Sequence, residues 1–142
     1  MIRLAISILG ITFLFLTNYA HDSARSLHVA SAVKCARRAS SASEELKAAT
    51  RVFSGRAIKV TEVDSRRVAE FEVERVWKGA LSRRIAVGSG THLYGSRFKE
   101  GETYLVFAFG GKQLSTSICT RTKPLSSASQ DLAELGTGQS VK

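Results

Sequence analysis

Between Val68 and Trp77 the chain alternates: Ala69, Phe71 and Val73 interleave with Glu70, Glu72 and Glu74. A period of two sends successive side chains to opposite sides of an extended backbone, so this stretch predicts a strand with one face buried and the other in water. The alternation slips at Arg75-Val76-Trp77, the mark of a bulge or of the strand's end, and Lys78-Gly79 turns the chain. Val52 to Val60 is also alternating and β-branched, with Gly55 as a bulge or point of close packing, and Asp64-Ser65-Arg66 is a turn. A short third strand is predicted at Arg84-Ile85-Ala86-Val87. Tyr104 to Phe109 is apolar without a break, which predicts a strand buried on both faces. Gly110-Gly111 then makes a tight hairpin into a fifth strand, Gln113 to Cys119.

Helical signals are few. From Ser43 to Ala49, helix formers follow a serine able to cap, with Glu44 and Glu45 in the first turn, so a short helix ending near Thr50 is predicted. A second is predicted from Ser129 to Leu135, stopped by Gly136, with residues 137–142 as a frayed polar tail. Together these elements predict an all-β fold with one or two short helices, its sheet closed or nearly closed into a small barrel. Closure would remove the edges that the apolar fourth strand offers to aggregation.

The N-terminus has a different character. Met1-Ile2-Arg3 is a short basic start, and Leu4 to Leu16 carries no charge. That run is too short for a comfortable membrane span and sits where a secretory signal peptide sits. Residues 1–20 are therefore read as a signal peptide cut after Ala20, with a cut after Ala24 and an uncleaved anchor as the alternatives, and residues 21–34 as a loose Ser- and Ala-rich arm. The remainder, 35–136, is one domain. Export changes the meaning of Cys35 and Cys119, because two distant cysteines in an oxidising compartment read as one disulfide. The expected location is secreted or periplasmic.

Charge adds a candidate activity. Of 21 Lys and Arg only Arg3 lies within residues 1–20, so the exported part sets 20 basic residues against 12 acidic ones, a net +8. Such a surplus favours polyanions, and export favours a glycan or envelope lipid over nucleic acid. Arg66, Arg67, Arg83, Arg84 and Arg97 are the candidate patch. Catalytic chemistry is not in view. His21 and His28 fall in the arm, and only His92, beside Tyr94 in the glycine-spaced loop Gly88 to Gly95, falls within the domain. No ligand spacing for a metal, no nucleophile elbow and no phosphate-cradling loop occurs, so neither a metal nor a cofactor is expected. Glu70, Glu72 and Glu74 read as solvated strand-face charges.

From Cys35 onward, V-F-x-G at Val52 to Gly55, FEVERVWKG at Phe71 to Gly79, Gly101-Glu102-x-Tyr104-Leu105-Val106-Phe107-Ala108, and Ile118-Cys119-Thr120-Arg121 before Pro124-Leu125 occur in a telling order. In this order and spacing the chain resembles the TIMP-like, netrin-module superfamily in a compact exported form. The resemblance implies a five-stranded Greek-key OB-fold with flanking helices. It also implies a cysteine pattern from which this chain departs. One cysteine of a Cys-x-Cys start is missing, with Arg37 as one candidate replacement and with either family cysteine open as the one Cys35 represents, and Tyr94-Gly95 stands where a Cys-Gly is expected. One disulfide has thus gone as a pair, leaving Cys35 and Cys119.

Animal members chelate a protease's zinc through the amine and carbonyl of an N-terminal cysteine. Cys35 is the candidate for that role, but the arm before it converts its nitrogen into an ordinary peptide unless a second cut follows Lys34. The expectation is therefore a monomeric, non-enzymatic binding module for a protein or anionic polymer. A metalloproteinase inhibitor and a nucleic-acid-binding OB-fold are the alternatives, the latter weakened by Phe107 and Phe109 lying in a core-like run.

Overall fold

The computed structural model describes residues 35, 39, 41–64, 66–90 and 95–142. Residues 1–34, read above as a signal peptide and a loose arm, lie outside the described residues, as do Arg37, His92 and Tyr94. Two long strands, β1 (Arg51–Val63) and β2 (Arg66–Lys78), form an antiparallel hairpin that turns at Asp64, whose φ of 48° an aspartate tolerates better than most side chains. Then come β3 (Arg84–Ser89), β4 (Thr103–Ala108), β5 (Leu114–Thr116), β6 (Lys123–Pro124) and β7 (Gln139–Ser140). Helix α1 (Ala42–Ala48) precedes the sheet and α2 (Ser129–Leu135) follows β6. The architecture is mostly β with two short helices, in agreement with the hydrophobic pattern.

The strand path is β5-β3-β2-β1-β4-β6, with β7 against the end of β2. Bulges curl this open sheet. Between Phe53/Val76 and Lys59/Glu70 the β1–β2 register shifts at Ser54/Gly55 and at Ala57/Lys59, and a further shift lies beside Trp77. An extra residue on one strand bends and twists the pair locally. The slip in alternation after Glu74 is thus a bulge and not the end of the strand. Gly55 sits at one shift because a Cβ there would lie 2.7 Å from the Glu72 carbonyl oxygen.

Two apolar layers result. Inside the curl, Phe71 contacts Phe53, Phe98 and Tyr104 edge-on at 5.5, 5.0 and 6.2 Å between ring centroids. On the outer side of β1 and β4, Val52, Leu105 and Phe107 pack under the two helices through Ala42, Ala49, Leu46 and Leu132. This explains the unbroken apolar run of β4, one face of which meets the inner core and the other the helices.

Two expectations differ. The fifth strand is cut to three residues because the chain turns at Ser117–Thr120, where the Thr120 amide and hydroxyl both donate to the Ser117 carbonyl. The tail read as frayed is instead ordered. Gln139 and Ser140 pair with Val76 and Arg75, the Val141 amide donates to the Glu74 carbonyl, and Val141 packs against the core. A two-residue strand has no sequence periodicity to reveal it.

Candidate functional site

Cys35 and Cys119 are bonded, as expected for the pair, joining the start of the domain to the turn after β5. Beside them a polar cluster ties the helices to the sheet. The Glu45 carboxylate accepts the Arg121 amide through both oxygens, at 3.0 and 3.1 Å. Asp131, 1% exposed, is gripped by Arg121 at 2.5 Å and Lys123 at 2.7 Å. Burial alone would raise the Asp131 carboxyl, but the hydrogen bonds from Arg121 and Lys123 outweigh it and hold the group below its ordinary range. The Lys78 ammonium donates to the Leu46 and Lys47 carbonyls at the C-terminal end of α1, where a cation suits the helix dipole. These bonds fasten the fold. They also consume the carboxylates most deeply buried in the domain.

The exposed face of β1–β2–β3 is mixed in sign. Register places Arg56, Glu72 and Arg84 in one row and Lys59 opposite Glu70. Arg56 meets Glu72 at 2.8 Å, and that hydrogen bond, followed by the attraction between the charges, lowers the Glu72 carboxyl. Glu70 and Glu72 are therefore solvated partners of neighbouring cations, and Glu74 is solvent-exposed.

The five candidate arginines divide into two groups. Arg67 stands opposite Ser89, whereas Arg84 stands opposite Glu72, five residues further along β2. At strand rise this is roughly 17 Å. Arg66 and Arg67 mark the turn end, where Arg67 also meets Glu62 at 3.4 Å. Arg84 begins β3 at the far end and Arg83 immediately precedes it. Arg97 belongs with the turn end, because the Ser89 hydroxyl donates to the carbonyl of neighbouring Ser96 at 3.1 Å.

Around Arg97 the structure assembles a site that the sequence reading missed. From Ser96 to Lys99 the chain alternates inward and outward: Ser96 and Phe98 are buried, Arg97 and Lys99 exposed. Phe98 plugs the core against Phe71 and Tyr104. The Lys99 amide donates to the Tyr104 hydroxyl at 2.9 Å, which in turn donates to Glu102 at 2.5 Å. Burial, then the Glu102 bond, pushes the Tyr104 phenol up to about 12, so it stays a neutral donor at physiological pH. This anchoring holds Arg97 and Lys99 on the rim of a groove of about 340 Å³, whose other side is Ile118, Thr122, Lys123 and Pro124. The signal for it was a four-residue alternation, too short to read without knowing that Phe98 is core.

Among the described residues no group of three or more His, Cys, Asp or Glu is placed to hold a metal ion, and no helix is long and apolar enough to cross a membrane. No protein-family model matches the chain, and no curated protein matches its sequence.

Proposed function

We propose that this chain is an exported, non-enzymatic binding module with an OB-fold-like barrel, and that its ligand is an anionic glycan. The fold part is supported by the path β1-β2-β3-β5, in which β5 runs parallel to β3, and by the Phe109–Ser115 bridge that links the end of β4 to β5. An OB-fold is a five-stranded, partly open Greek-key barrel with its binding surfaces on strands two and three and in the adjoining loops. The Cys35–Cys119 bond fits an oxidising compartment.

One observation carries the ligand class. Among the described residues, Arg66, Arg83, Arg97 and Lys99 stand exposed with no carboxylate within ion-pair distance, while Glu72 already faces Arg56 and Arg84, and Glu70 faces Lys59. The surplus positive charge is thus left on the surface in unpaired form, where a polyanion can use it.

The test is retention of the exported protein on a sulfated-glycan column across a salt gradient. Elution should require clearly more salt than for a neutral protein of equal size and should move with ionic strength. Elution together with that control would sink the proposal, and binding confined to a protein partner would replace it.

A further inference from the structure

The groove beside Arg97 combines three chemistries seldom found together. Arg97 and Lys99 supply cations on one rim that have no ion-pair partner among the described residues. Ile118, 37% exposed, and Pro124 supply an apolar wall. Glu102, whose carboxylate is tied to Tyr104, supplies an acceptor at the edge. Lys123 also lines the groove, but its ammonium is engaged by Asp131. Ser96 is 8% exposed and lines the same groove, yet its hydroxyl oxygen is buried with no hydrogen-bond partner among the described residues. A buried hydroxyl left unsatisfied is costly and asks for an explanation.

A bare inorganic anion would use the cations and find the carboxylate and apolar wall unhelpful. A sugar ring carrying an ester anion uses all of them. Its anion meets Arg97 and Lys99, its hydroxyls donate to Glu102, and its C–H face lies on Ile118 and Pro124. The volume is at the small end of ligand clefts, which suits a single sugar unit.

We infer that this groove is a subsite for one sulfate- or phosphate-ester sugar unit of an anionic glycan, with Ser96 turning its hydroxyl onto the ligand. This rests on the glycan-binding reading above and says where one of its sugar units is held. Because Phe98 and Tyr104 fix the Ser96–Lys99 segment before any ligand arrives, the site is preorganised and little ordering cost accompanies binding.

The experiment titrates the isotope-labelled exported protein with N-acetylglucosamine 6-sulfate, its 6-phosphate, the unsubstituted sugar and inorganic sulfate, followed by amide NMR shifts. The charged sugars should shift Ser96, Lys99, Ile118 and Thr122 together and saturably, whereas the unsubstituted sugar should not. Whichever ester binds more tightly identifies the source, a sulfated or a phosphorylated glycan. The Arg97→Ala, Lys99→Ala double variant should weaken binding by more than about tenfold, the loss expected for charge-assisted bonds. Ser96→Ala should weaken it by about threefold while leaving thermal stability unchanged or higher, because it removes an unsatisfied group.

Equal shifts from inorganic sulfate overturn the sugar assignment. If the sulfated-glycan column retains the native protein but the double variant elutes at the same salt, and no groove amide shifts, the subsite is wrong and the general reading stands. If the column fails to retain the native protein while the ester sugars still shift the groove, the subsite stands and the polymer reading falls.

Discussion

Replacing Asp131 by asparagine tests the account of how the helices are held. Asp131 is the third residue of α2 and 1% exposed, with Arg121 at 2.5 Å and Lys123 at 2.7 Å. The amide keeps the shape and one acceptor but takes away the carboxylate that the two cations share, although the charges of Glu134 and Glu45 still act on Arg121. Arg121 is only 16% exposed and cannot easily turn to water, whereas Lys123, at 30%, can partly escape. Breaking a buried pair by removing one partner costs about 3–5 kcal/mol, and the escape of Lys123 brings the expected loss to about 2–4 kcal/mol. Domain stabilities are about 5–15 kcal/mol, so the midpoint of thermal unfolding should fall by roughly 10–20 °C.

Urea unfolding at pH 7 measures the loss, and an unchanged slope shows that it is a stability effect. The pH dependence supplies a second reading. The folded carboxyl titrates below its ordinary value of 3.8, so its stabilisation is complete above that value and disappears as pH falls through the lower, folded one. The gap between native protein and D131N should therefore be widest near neutrality and shrink in acid. A loss under about 0.5 kcal/mol, or a gap equally wide in strong acid, would refute the view that the ion pair fastens α2.

Four further outcomes are expected. Replacing Cys35 and Cys119 by serine should cost up to about 4.5 kcal/mol in the chain-entropy model, since the bond spans 84 residues, and denaturant midpoints with and without reductant measure it. Gly55→Ala should destabilise by about 1–3 kcal/mol, because its Cβ would meet the Glu72 carbonyl; a neutral result in urea unfolding would mean that the bulge yields freely. Lys78→Met should lose about 1–2 kcal/mol through the unsatisfied carbonyls of α1, with hydrogen exchange rising first in Ala42–Ala48. Tyr104→Phe should remove a tyrosine absorbance transition near pH 12 and loosen the Lys99 amide; a transition that persists in the variant assigns it to another phenol.

The strand pattern was readable where burial is one-sided or complete. β2 announces itself because Ala69, Phe71 and Val73 enter the core while Glu70, Glu72 and Glu74 stay in water. β4 does so because both faces are covered. Ser41, whose hydroxyl accepts the Glu44 amide at 3.0 Å, caps α1 two residues before the start predicted at Ser43, and such boundaries depend on one hydrogen bond more than on periodicity. Two-residue strands such as β6 and β7 leave no pattern at all.

The candidate site divides along the same line. Composition established a basic surplus, and the presence of only two cysteines, Cys35 and Cys119, left a single pairing, because charge and cysteine count are properties of the chain itself. Which cations stay free was a matter of register. Only the fold could place Arg84 beside Glu72, send Lys123 to Asp131 and plug Phe98 into the core, leaving Arg97 and Lys99 on a groove wall. A charge seen in sequence becomes a binding group only when tertiary structure has assigned every nearby carboxylate elsewhere.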